Sequence, residues 1–395
     1  MNTIASPRQQ WPTDCVLPDY SAEGGIYGLA ASIRHWLHDP AAACAPAQLA
    51  EGEPGRILLL VIDGLGANFL AQEGAGSTLA AHCRRQLTSV FPSTTASAVT
   101  TLLTGATPAE HGLNGWFIHA PRFGGVIAPL PFEVRGGEAL APRLASRLFR
   151  ASSMFHRARR PVVMISPAEI AFSTYSSFHG SGAQIRPYKG LPQFEDEIVS
   201  ALAGLGDQGG LVHAYYPKFD GFSHAHGCRA EKTLACFARI DEMYARLCER
   251  LAGSEVRILL TADHGFIDSP PEQVIELEPG GEVEAMLAAP LFGERRLSFC
   301  AVRAGAEVEF EHWAQHTLAG KAVCMPAGDC LASGVLGPGR RHPQLAERLG
   351  SHVLLMEPGW TLVDLVEGER PFALIGVHGG LTADEMLVPL VAYQA

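Results

Sequence analysis

The chain has 395 residues, enough for one large domain or two, and either could bury a sizeable core. Its 47% hydrophobic and 18% charged content describe an ordered globular protein. A formal charge of −11 argues against a nucleic-acid polymer as partner, since that needs a basic surface, but leaves room for a local basic pocket for a small anion.

The N-terminal stretch MNTIASPRQQWPTDCVLPDY lacks a basic segment followed by an apolar core, so no secretory signal peptide is expected. No run reaches the roughly 20 apolar residues of a membrane span, and no membrane partner is expected. The nine cysteines are irregularly spaced, without a CxxC pair, and read as scattered reduced thiols. These features together predict a cytoplasmic protein. Residues 1–55 read as an N-terminal segment ending in the Ala/Pro/Gly linker AAACAPAQLAEGEPG.

From there, RILLLVIDG (56–64) is a continuous apolar run ending in Asp-Gly, the pattern of a strand buried on both faces. Similar runs follow at RPVVMISP (160–167), GLVHAYYP (210–217), VRILLTADHG (256–265) and PFALIGVHG (371–379). Helix-length amphipathic segments lie between them, most clearly KTLACFARIDEMYARLCERLAG (232–253). Alternation of this kind predicts an α/β fold, a mostly parallel sheet with helices on both faces. Residues 56–266 and 371–395 are assigned to this core. Residues 267–370 are read as an inserted small α+β subdomain, with strand-like runs EAMLAAP, RLSFCAVRAG and AEVEFEHWA and a short helix after GVLGPGRRHP. SHVLLME and PFALIG are expected to return the chain to the core.

Parallel sheets collect functional groups at the carboxyl ends of their strands. Four of the apolar runs end in metal-ligand residue types: Asp63; Asp220 and His224; Asp263 and His264; His378. Singly, each has a plainer explanation: Asp-Gly after a strand is often just a turn, and His378 could sit in a glycine-rich turn. His213 reads as structural, and His226 as a neighbour of the ligands. Together, three carboxylates and three imidazoles suit zinc, with manganese or iron as substitutes. Six ligands exceed the need of one catalytic zinc and fit two divalent ions about 3.5–4 Å apart, the arrangement used in phosphoryl transfer.

The stretch SVFPSTTASAVTTLLTG (89–105) carries eight Ser or Thr residues and no charge. It reads as a strand end, a turn, and a helix starting near Thr94 or Thr95. Capping explains one or two hydroxyls. A threonine at that helix N-terminus, beside a metal, can also ionise and attack phosphorus, with helix N–H groups holding a nonbridging oxygen. Residue chemistry does not choose between Thr94 and Thr95.

The pieces VIDGLG, FPSTTASAVTTLLTGATPAEHGLNG, FDGFSHAHG, TADHGF and VHGGLTADEMLVPLV, in that order, resemble the alkaline phosphatase superfamily. Within it they resemble the nucleotide pyrophosphatase/phosphodiesterase family, over most of the chain from about residue 56. The resemblance implies an alkaline phosphatase-like fold. It also implies one metal, usually zinc, held by Asp63, Thr95, Asp263 and His264, and a second held by Asp220, His224 and His378. Thr95 is then the nucleophile, forming a covalent phosphothreonine, because FPSTT aligns with the family's Phe-Pro-Thr-Lys-Thr. The substrate implied is a small phosphodiester or pyrophosphate.

Two positions depart from the family. The residue after the nucleophile, often a base-holding Phe, is Ala96, and the Asn that contacts a nonbridging oxygen falls on Ala98. Asn114 could substitute, or could simply be a turn residue. The rival enzymatic reading is a phosphomonoesterase or phosphonate hydrolase, with Lys218 holding a dianion; otherwise Lys218 is a solvated loop lysine. A sulfatase is disfavoured, because no Cys-x-Pro-x-Arg or Ser-x-Pro-x-Arg motif occurs. A non-catalytic metal-binding regulatory module is the reading from another class, opposed by the intact ligand set. Trp116, Phe117 and Tyr216 are candidate substrate-facing aromatics, equally suited to the core.

Overall fold

The structure, a computed structural model, describes residues 11–39, 55–369 and 373–395. Four apolar strands, Val256–Thr261, Arg56–Ile62, Gly210–Tyr216 and Val162–Pro167, lie side by side in parallel at the centre of a seven-stranded sheet. Gln184–Tyr188 extends it in parallel on one side. On the other, Leu387–Gln394 runs antiparallel to both its neighbours, Val256–Thr261 and Cys83–Thr88. Residues 57–62 are at most 1% exposed, which explains why the run shows no alternation: both faces are covered. The covering helices include Glu231–Arg250, whose buried stripe of Thr233, Phe237, Ile240, Tyr244 and Leu247 recurs at spacings of three and four.

The helix Ile26–His38 belongs to this core: Ile26, Leu29, Ile33, Trp36 and Leu37 are buried in it, and the helix packs on Thr95–Thr104. The first 55 residues are therefore more than a lead-in, although the linker stretch (41–54) lies outside the described residues.

None of the described residues in 267–370 adds a strand to the main sheet. They hold a four-stranded antiparallel sheet in the order Phe292–Glu294, Leu297–Cys300, His352–Met356, Ala322–Pro326. Alternation along the third strand divides it between two cores. Val353 and Leu355 pack with Phe91, Leu381 and Met386 of the main body. Leu354 and Met356 pack with Met286, Phe310 and Trp313 from the helices Glu282–Met286 and Glu307–Thr317.

Three sequence expectations are corrected. EAMLAAP and AEVEFEHWA were expected as strands but contribute to those two helices. SHVLLME joins the inserted sheet, not the main one. In PFALIGVHG, residues 371–372 lie outside the described part, and Gly376–Val377 pairs with Ile267–Asp268 instead of entering the main sheet. A continuous apolar run reports burial on both faces, not which sheet it joins. Among the described residues the cysteines are free thiols, and no helix is long and apolar enough to cross a membrane.

Candidate metal centre and nucleophile

Asp63 directly follows the strand Arg56–Ile62, and Asp263 and His264 follow Val256–Thr261. Asp220 and His224 share one face of the helix Lys218–His226, which follows Gly210–Tyr216. His378 follows Gly376–Val377, which the pairing with Ile267–Asp268 brings beside them. Gly64 is required here: its φ is +76°, and a Cβ would lie 2.4 Å from the Phe266 ring and 3.3 Å from Asp220 Cα. The Asp-Gly turn therefore allows the segments carrying Asp63 and Asp220 to approach.

Ligand atoms of Asp63, Asp263 and His264 lie within 4.8 Å of one another, and so do those of Asp220, His264 and His378. His224 joins through Asp220, with Nε2 3.4 Å from its Oδ1. All three imidazoles are held by Nδ1: His224 donates to Gly376 O (2.8 Å), His264 to Gly265 O (3.0 Å) and His378 to Ser93 O (3.2 Å). A carbonyl can only accept, so each Nδ1 carries a proton and Nε2 is the ring nitrogen left for the cluster. The carboxylates are equally one-sided. Asp263 Oδ1 accepts from the Gly64 and His264 amides, and Asp63 Oδ2 accepts from the Tyr215 hydroxyl. Asp63 Oδ1, Asp220 Oδ1 and Asp263 Oδ2 are buried without a hydrogen-bond partner.

The electrostatic consequence is mutual frustration. Burial, then the charges of Asp263 and Asp220, push the Asp63 carboxyl well above its usual range. Burial, then Asp263 and Glu294, do the same to Asp220. Burial holds His224 down at about 4, and burial with the other two imidazoles holds His378 well below its ordinary value. Neutral imidazoles, orphaned carboxylate oxygens and mixed N/O donors fit a pair of divalent cations, which would satisfy the lone pairs and cancel the repulsion.

Thr95 opens the helix Thr95–Thr104, with Thr94 as the residue before it. Its Oγ1 lies 3.2 Å from His264 Nε2, within the cluster. Thr94 points elsewhere: its hydroxyl donates to Glu294 Oε1 and makes no capping bond. Other hydroxyls of this segment are structural. Thr100 and Thr104 bond carbonyls one turn back, Thr101 meets His111, and Ser93 donates to Gly380 O.

Thr95, Asp220, His224 and His378 open onto a cavity of about 1350 Å³, whereas Asp63, Asp263 and His264 are not part of its lining. Trp116 and Phe117 line it, Trp116 38% exposed; Tyr216 is core, packed on Phe194. Two sequence candidates are not brought to the cavity. Asn114 is buried, its amide donating to Arg348 O (2.8 Å), so it is the turn residue of the plainer reading. Lys218 is exposed on its helix near Cys236. His213 is buried in the main sheet, and His226 packs near Phe222.

Two residues were not foreseen. Tyr215 anchors Asp63 from inside a strand, and strand alternation on AYYP could have indicated one tyrosine aimed at the site. Glu294, from the inserted sheet, lines the cavity and accepts from Thr94 and from the Trp116 amide (2.7 Å). Burial raises it to about 7, those two hydrogen bonds opposing. Nothing local in FGERRL marks it.

A mostly parallel sheet flanked by helices, with a carboxylate–imidazole cluster at its strand ends, is an alkaline phosphatase-like fold. The chain belongs to the type I phosphodiesterase/nucleotide pyrophosphatase family, whose profile matches residues 57–380. The murine ectonucleotide pyrophosphatase/phosphodiesterase 5 is similar in structure, with a TM-score of 0.63 at 18% identity over 86% of this chain and 88% of that one. An inactive threonine-to-alanine form of that murine protein in complex with AMP superposes with a TM-score of 0.62 at 17% identity, over 86% and 87% of the two chains. Phosphonoacetate hydrolase from Sinorhizobium meliloti 1021, in complex with phosphonoacetate, gives a TM-score of 0.62 at 16% identity over 86% and 90%. No curated protein matches the sequence.

Proposed function

We propose that the chain hydrolyses a phosphodiester or pyrophosphate bond in a small phosphorylated substrate, with Thr95 as nucleophile and two divalent metals, most simply zinc. The observation that carries this reading is the Thr95 hydroxyl at a helix N-terminus, 3.2 Å from His264 Nε2 and beside three orphaned carboxylate oxygens. Asp63, Asp263 and His264 with Thr95 would hold one ion, and Asp220, His224 and His378 the other. When bound, the ions supply positive charge that favours an ionised Thr95 oxygen and stabilises the leaving oxygen.

Thr95 Oγ1 attacks phosphorus as the bond to the leaving oxygen breaks, giving a phosphothreonine and the freed alcohol or phosphate. Water then cleaves the phosphothreonine and restores the hydroxyl. First-turn amides of the helix, which lack intrahelical partners, face a nonbridging oxygen. Ala96 offers no ring to a nucleobase, so the non-reacting substituent meets Trp116 and Phe117 instead.

The test joins metal content to substrate choice. Metal-replete protein should contain two ions per chain. It should prefer an aryl phosphodiester over the matched monoester at least tenfold in kcat/KM, about 1.4 kcal/mol. One ion or none defeats the two-metal reading, a monoester preference defeats the diester assignment, and faster turnover of phosphonoacetate favours the phosphonate-hydrolase alternative.

A further inference from the structure

A second cavity, about 340 Å³, lies beside the strand Ile118–Ala120 and shares no lining residue with the catalytic one. Arg122, Arg147, Arg150 and Arg348 line it, with His119 on one wall and Glu347 the sole carboxylate among the lining residues. This is unusual placement in a chain of net charge −11. Residues 139–168 carry six arginines and no Asp or Glu, so the sequence concentrates positive charge here.

Arg348 gives the independent indication. It is 2% exposed, its guanidinium fixed by Nη1 donating to Gly112 O (2.8 Å) and Nη2 to Leu148 O (3.1 Å), yet its buried Nε has no hydrogen-bond partner. Burial pushes Arg348 down to about 10, Arg150 adding to the effect and Glu347 opposing it. Burial, then Arg348 and Arg150, hold the adjacent His342 at about 3. The like charges repel one another around a void, which is unfavourable unless something negative occupies it.

We propose that this cavity binds a small oxyanion, a phosphate group either free or carried on a small molecule. Arginine forks match the tetrahedral oxygens of phosphate, with Arg348 preorganised at the base and the exposed Arg122, Arg147 and Arg150 closing from the rim. The concave shape and its volume suit a small molecule.

The test compares Thr95→Ala protein, in which no ligand turns over, with the same protein carrying Arg147→Ala and Arg150→Ala, both zinc-replete. These arginines are exposed, so folding should be preserved. Isothermal titration with inorganic phosphate, and separately with glycerol 3-phosphate, should give two classes of site in the parent and one in the double variant. A second class seen with phosphate alone makes the free ion the ligand, and one seen only with the ester makes it a carried group. Tungstate diffused into crystals of the parent should give a peak between Arg147, Arg150 and Arg348 that the double variant lacks. A single class with both probes, a second class that survives the double substitution, or no tungstate in this cavity overturns the proposal.

Discussion

Two of the places where this molecule buries carboxylates solve the problem in opposite ways. Glu385 and Arg296 are both fully buried, paired at 2.9 Å, and the glutamate also accepts from the Gly380 amide and the Thr382 hydroxyl. Arg296 in turn donates to Glu357 O and Trp360 O. Burial would raise Glu385, but Arg296 and these donors outweigh it and leave the carboxyl below its usual range. Asp63, Asp220 and Asp263 instead face one another with orphaned oxygens, beside the imidazoles of His224 and His378 that burial keeps from charging. A buried charge satisfied within the chain fastens the inserted sheet to the main body, whereas carboxylates left unsatisfied are open to a ligand.

The strongest test of this contrast is to separate function from stability. Thr95→Ala should lower kcat on an aryl diester roughly a thousandfold or more, about 4 kcal/mol of barrier, with little change in the urea midpoint. Glu385→Ala should do the reverse, costing about 3–5 kcal/mol in urea unfolding by stranding Arg296, while folded protein keeps its metal content. A loss of metal in folded Glu385→Ala protein would show that the two regions are not independent. Tyr215→Phe removes the hydroxyl that anchors Asp63 and should weaken metal binding about 10–100-fold in a competitive chelator titration, leaving the fold intact.

Proton linkage sharpens the same contrast. Asp63 and Asp220 have raised folded values, so the stability their protonation provides is present below the unfolded range and lost as pH rises through the folded values. Glu385 is depressed, so its contribution is present above the unfolded range and lost as pH falls through the folded value. In chelator, Tm should therefore fall as pH is raised above the ordinary carboxylate range, and zinc should abolish that fall. Asp63→Asn should raise Tm in chelator and lower it in zinc. An identical pH dependence with and without zinc would reject the ligand assignment. The smallest effect is expected at Lys218, where Ala should change stability by less than about 0.5 kcal/mol and leave kcat/KM on a monoester unaltered.

Most of the cluster was legible because apolar runs end in Asp63, Asp220 and Asp263, and a parallel sheet gathers strand ends on one edge. The inserted region was read less well, for a specific reason. AEVEFEHWA places Val308 and Phe310 at strand spacing, but the helix buries Phe310, Trp313 and Ala314 and leaves Val308 80% exposed. Two periods compete in so short a stretch, and the packing partners that decide between them are distant in sequence. The same distance hid Glu294, whose role depends on Thr94 and Trp116 across the domain. Lys218 and Asn114 were chosen for chemistry at plausible spacings, yet a helix face and a backbone carbonyl direct them away from the cavity.

The strand Leu387–Gln394 lies between Cys83–Thr88 and Val256–Thr261, so the strand that leads towards Thr95 is paired into the main sheet through a strand encoded some 300 residues later. During synthesis the emerging chain therefore exposes an early strand whose neighbour in the main sheet has yet to be made. His378 and that strand leave the ribosome in close succession, so completion of the carboxylate–imidazole cluster and closure of the sheet fall at the same late moment. A nascent or prematurely terminated chain therefore lacks the His378 imidazole of that cluster until its last strand is made.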